Sequence, residues 1–133
     1  MSNYLEDKVQ DHVLGGGDYT RPGTVYVALC TTAPTDASTG STIVEPSGGS
    51  YARVAVTNNA TNFPASSGGA KSNGTAITFP TATGSWGTVT HFAIVDASSN
   101  GNVLWWGSLG SSKTIDTGDT ASFATGQLST TLD

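Results

Sequence analysis

Two histidines, one cysteine and ten carboxylates are the groups in this 133-residue chain that could move protons, attack carbon or hold a metal. Their spacing suits none of these tasks. His12 and His91 stand far apart, and neither shares a motif with Cys30, whereas a metal centre needs several ligands that converge. Serine is plentiful, but the strained Gly-x-Ser-x-Gly turn that activates a hydrolase nucleophile does not occur. Asp116 and Asp119 could offer oxygen to calcium, yet the alternating acidic positions of a calcium loop are missing; a Gly-Asp turn closed on backbone amides fits better. Gly15-Gly16-Gly17 follows its helix instead of opening one, so it cannot aim a helix N-terminus at phosphate. Cys30 lies inside an apolar run and reads as a buried, unreactive thiol. No catalytic, cofactor-binding or metal-binding residue is expected, and the chain is not expected to be an enzyme.

The chemistry that remains is contact. Trp105 and Trp106 are neighbours on an expected strand and must point to opposite faces. One can fill the core; the other is covered by loops of its own chain, anchors a neighbouring subunit or stacks on a sugar. Leu5, Val9 and Val13 repeat at helical spacing and form one apolar stripe. That stripe docks on its own domain or on a neighbour. These five residues are the candidate interaction set.

Composition says what must position them. Only 11% of residues are charged, against about 25% in an average soluble domain, and Thr, Ser, Gly and Asn supply the polarity instead. With 36% hydrophobic residues and 17 glycines the chain could pass for a linker, but its apolar residues gather in short runs between turn signals, as in an ordered all-β domain. The length fits one domain and one core. Net charge is −5 and the basic residues Lys8, Arg21, Arg53, Lys71 and Lys113 are scattered, so nucleic acid is not expected as a partner. No apolar stretch approaches a membrane span and no signal-type N-terminus appears; a soluble protein made in the cytoplasm is expected. A lone cysteine cannot form an internal disulfide.

Along the chain, Asn3 with Glu6 can cap a helix over 3–14 that the glycines end. Residues 1–17 therefore read as a helix with a Gly hinge, and 18–133 as a β domain. Strands are expected over 24–31, 51–57 with Ala52, Val54 and Val56 inward, 75–80, 88–95 apolar on both faces, 103–109, 113–116, 120–124 and 127–132. Asn100-Gly101 marks a tight hairpin turn. Residues 32–49 and 58–74 read as long exposed loops. The fold class is an all-β antiparallel sandwich or jelly roll of about seven or eight strands with a short N-terminal α-helix.

Tyr4-Leu5-Glu6 and His12 on the helix, Arg21-Pro22, Val25-Tyr26-Val27-Ala28-Leu29, Ala33-Pro34-Thr35, Tyr51-Ala52-Arg53-Val54, Ile77-Thr78-Phe79-Pro80, Trp86-Gly87-Thr88-Val89 and Gly118-Asp119-Thr120 occur in an order that resembles small bacteriophage virion proteins of the head decoration and tail fibre types. The resemblance covers nearly the whole chain. It implies a small oligomeric β-sandwich on the virion, without a reaction to perform. The first expectation is a capsid decoration or cement protein, a homotrimer that binds the major capsid protein through the N-terminal helix and the long loops. The alternative is a tail fibre or baseplate-associated protein that recognises a host receptor or surface glycan. A polysaccharide-cleaving enzyme would need paired carboxylates, and no such pair is recognisable.

Overall fold

The computed structural model describes residues 1–132. Its order is α1 (Asn3–Val13), β1 (Thr24–Cys30), β2 (Val54–Thr57), β3 (Ala70–Ser72), β4 (Ile77–Thr78), β5 (Gly87–Val95), β6 (Val103–Ile115), β7 (Ser122–Phe123) and β8 (Ser129–Thr131). All strand pairs are antiparallel. One four-stranded sheet runs β2-β1-β5-β6, and two ribbons, β3-β8 and β4-β7, complete the strands. The fold is all-β with one short helix, as its composition and spacing predict.

Period two explains the central sheet. Val27, Ile94 and Trp105 are cross-strand partners on one face, and Ala28, Ala93 and Trp106 are partners on the other. The first face carries the main core, in which Val25, Val27, Leu29 and Ile94 pack with Ile77, Phe79 and Leu128 from the ribbon side. The second face holds a smaller cluster of Ala28, Cys30, Ala93, Val95 and Val103. Both faces of β5 are therefore covered, in keeping with its continuous apolar run.

Residues 32–49 form the loop expected there and most of them are exposed, but a few anchor it over the second face. Pro34, Gly40 and Pro46 are buried, Ile43 packs on the small cluster, and Thr31 N–H donates to Val44 C=O at 2.9 Å. The approach is close because the underlying side chains are small. At Gly40 a Cβ would stand 1.8 Å from the Asn100 carbonyl oxygen, so only glycine fits.

Several boundaries also move. The helix cap is Ser2, not Asn3: Leu5 N–H donates to Ser2 Oγ at 3.3 Å. Ser2 Oγ in turn donates to Val103 C=O, and Ser2 N–H to Leu104 C=O at 3.0 Å, so the cap also pins the helix to β6. The loop expected over 58–74 contains β3, and the strand expected over 75–80 keeps only its Ile77-Thr78 core. Runs 103–109 and 113–116 are one strand, β6, with an irregularity where Val89 pairs Lys113 and His91 pairs Ser108. Across 51–57 only Val54–Thr57 pairs as strand, and Ala52 is exposed. Asn100 and Gly101 both take positive φ, 53° and 78°, and the hairpin is present, but they end a longer connection over 97–101 instead of forming a two-residue turn, since Asp96 N–H donates to Asn102 C=O at 3.1 Å.

Candidate functional site

Three of the five candidate contact residues meet in one place. Leu5, Val9 and Trp105 line a cavity of about 250 Å³ between α1 and the first sheet face. Leu5 is 3% exposed and belongs to the main core, while Val9 and Trp105 are half-buried against it. Trp105 Nε1 is buried with no hydrogen-bond partner among the described residues. Val13 is at the other end of the stripe and 70% exposed, with Leu14 beside it also in solvent. The first turn of the helix is thus docked on its own domain and the last is not.

Trp106 lies on the opposite sheet face. It packs against the small cluster, and its Nε1–H donates to Asp36 Oδ1 at 3.1 Å, so the 32–49 segment partly covers it. His91 is 6.2 Å away by ring centroid and bonds Thr90 Oγ1 at 2.8 Å. His12 Nδ1 accepts from Tyr19 N–H at 3.3 Å, with Asp18 at 3.6 Å. Asp119 Oδ2 accepts Asp116 N–H at 2.9 Å, which is the Gly-Asp turn expected there. No three of His, Cys, Asp and Glu gather as metal ligands among the described residues, and no helix among them is long and apolar enough to cross a membrane.

The docking pattern has a measurable consequence. Leu5→Ala removes a core side chain and lowers unfolding free energy by about 2–3 kcal/mol, whereas Val13→Ala stays within about 0.5 kcal/mol of wild type. Urea titrations of both variants check this; equal losses would mean that the whole stripe is packed.

The densest polar chemistry was invisible as a motif. Arg53 meets Glu45 through Nε to Oε1 at 3.0 Å and Nη2 to Oε2 at 2.8 Å. Its other N–H groups donate to the carbonyls of Ala97, Asn100 and Gly40 at 2.9, 2.9 and 2.7 Å. Tyr51 Oη donates to Glu45 Oε1 at 2.6 Å and accepts Leu29 N–H at 3.0 Å. Burial alone would lower the Arg53 pKa, but the Glu45 hydrogen bonds and charge outweigh it and raise the pKa. Burial raises that of Tyr51, and the bond to Glu45 adds to the effect. This cluster joins the connections β1–β2 and β5–β6 to each other and to the sheet. An arginine inside the apolar run 51–57 was the available signal, since a charge there must find a partner.

Cys30 is fully buried. Burial, with the nearby Glu45 charge adding and Arg53 opposing, pushes its thiol from 9.0 to about 12. A raised acid pKa keeps the folded thiol neutral while the unfolded one ionises. Cys30 therefore leaves stability unchanged below about pH 9, and above it removes about 1.4 kcal/mol per pH unit until the folded thiol also ionises. Tyr51 adds to the loss at higher pH. Urea titrations from pH 7 to 11 should show a decline that is shallower in Cys30→Ala; an unchanged slope would rule Cys30 out as its source.

A second and larger concavity lies at the other end of the main core. Between the distal half of β6 and the segment 119–127 runs an open cleft of about 660 Å³ with Phe92 and Phe123 at its base. Its walls come from segments that sequence reading treated as turns and short strands.

Comparison with known proteins places this architecture. No curated protein sequence matches the chain. A family profile described as podophage GP4 fiber I protein gp80 matches residues 1–131. The match spans helix, sheet and both ribbons, and the chain belongs to this phage fibre family.

Proposed function

We propose that this protein is a non-enzymatic structural subunit of a phage tail fibre. The family match across residues 1–131 carries the reading and favours the tail over the capsid surface that the sequence first suggested. The structure is consistent with it in one particular: the strongest polar interactions, those of Arg53 with Glu45 and three carbonyls, are directed to holding loops on the sheet. In this reading copies associate into a homotrimer, with the exposed Val13 and Leu14 among the apolar surface available for contact.

The test is location in purified particles. Gold-labelled antibody or cryo-electron microscopy should place the protein on the tail at low copy number. Label spread over the shell, with copies in proportion to the major capsid protein, would overturn the fibre reading and restore capsid decoration. Light scattering of the purified protein should give three times the chain mass; a monomer mass would remove trimerisation from the proposal.

A further inference from the structure

The geometry points to the cleft between β6 and 119–127 as a saccharide-binding site. Its volume, about 660 Å³, lies within the range of small-ligand sites. The base is apolar and contains the half-buried Phe123. That ring is fixed in place, edge-on to Phe92 at 6.1 Å and tilted against Phe79 at 6.4 Å.

The walls carry polar groups of both kinds, and two of them are pinned. Asp119 Oδ2 is held by Asp116 N–H at 2.9 Å, which leaves Oδ1 without a bond among the described residues. Gln127 Oε1 is held by Ala124 N–H at 3.1 Å, which leaves the Nε2 donors free. Ser111, Lys113 and Ser122 line the same space with hydroxyl and ammonium groups that bond no other described residue. Two threonine pairs, Thr88 with Thr114 at 2.9 Å and Thr81 with Thr120 at 2.7 Å, fix the flanking backbone.

Chemistry selects the ligand class. One ammonium and one carboxylate cancel, so neither a phosphate chain nor a polyanion has the excess of cations it needs. Free donors and a free acceptor above an aromatic base match a pyranose, which presents hydroxyls at its rim and a C–H face to a ring. Asp119 and Gln127 are each held by one backbone bond, so less entropy is lost in ordering these two on binding. The inference deepens the fibre reading, since it gives the fibre something to recognise. It also shifts that role away from Trp105 and Trp106.

Titration of the ¹⁵N-labelled protein with maltotetraose, mannotetraose and chitotetraose tests the site. At millimolar concentration at least one of these should move the amides of 108–115 and 119–127 and leave those around Trp106 in place. Gln127→Ala and Lys113→Ala should each weaken binding about three- to tenfold, the loss of one hydrogen bond, and Lys113→Ala, whose ammonium bonds no other described residue, should do so with its unfolding midpoint unchanged. No cleft shift with any of the three sugars, or shifts centred on Trp106, would overturn the assignment. Inorganic phosphate is the control, and cleft shifts with phosphate alone would also overturn it. Sugar binding by a protein found on the shell would sink the fibre reading and leave the cleft assignment standing.

Discussion

Arg53→Met lowers the free energy of unfolding by about 3–5 kcal/mol, the usual cost of removing one partner from a buried ion pair. The Arg53 side chain is 5% exposed and that of Glu45 is 18% exposed, so water replaces little of what is lost except at the exposed Asn100 carbonyl. Methionine fills much of the volume, which isolates the polar effect from a cavity effect. What remains is a carboxylate with only the Tyr51 hydroxyl as partner, and carbonyls of Gly40, Ala97 and Asn100 deprived of their guanidinium donors. Arg53→Lys recovers only part of the loss, because three ammonium donors from one point cannot serve a carboxylate and three separated carbonyls. Guanidinium titration gives the number, and Glu45→Gln with the double variant gives the coupling. A loss below about 1 kcal/mol would mean that the loops hold the sheet without this cluster.

The cluster also shows how far sequence reading reaches. β1 and β5 were legible because each is a long apolar run with its own period, and the Asn100-Gly101 turn because two consecutive positive φ values demand such residues. The opposition of Trp105 and Trp106 followed from strand geometry alone. The loop over 32–49 was legible but its anchors were not, because they are isolated prolines, one glycine and main-chain hydrogen bonds, none of which leaves a hydrophobic period. β6 appeared as two strands because Gly110-Ser111-Ser112 resembles a turn, yet its ends pair with a single continuous β5 on either side of Thr90. The proposed cleft was illegible for a related reason: Lys113, Asp119, Phe123 and Gln127 fall on separate short segments that converge only once β6 and β7 are placed. The five contact candidates, by contrast, were found by period, and the structure separates them into a docked set, Leu5, Val9 and Trp105, and two others, Val13 and Trp106.

The ribbons raise the hardest question about this fold, because strands of two or three residues cannot hold themselves. β3 reads Ala-Lys-Ser and β8 Ser-Thr-Thr, so side-chain packing along the pair is slight. Asn73 supplies the missing restraint. It is 1% exposed, sits directly after β3, and exchanges backbone bonds with Leu128 and Gly126 at 3.1 and 2.8 Å. Its side chain donates to the carbonyls of Thr75 and Ala124 at 2.8 and 3.0 Å and accepts Leu128 N–H at 2.9 Å. One amide thus ties the end of β3, the approach to β4, the turn after β7 and the start of β8. Asn73→Ala leaves the Leu128 N–H unpaired in the interior, at about 1–3 kcal/mol, and strips a donor from the Thr75 and Ala124 carbonyls, which solvent relieves in part, for a total loss of about 3 kcal/mol. Asn73→Asp keeps the shape and the acceptor for Leu128 but turns two donors into repulsion against carbonyls, so it should do no better. The damage should be local before it is global. Hydrogen exchange of amides in 121–131 accelerates in Asn73→Ala at denaturant levels where β1 and β5 stay protected. Since 119–127 forms one wall of the cleft, sugar affinity should fall in the same variant. Unchanged exchange in 121–131, or a stability loss under about 1 kcal/mol, would show that Leu128 and Phe123 hold the ribbons by burial alone.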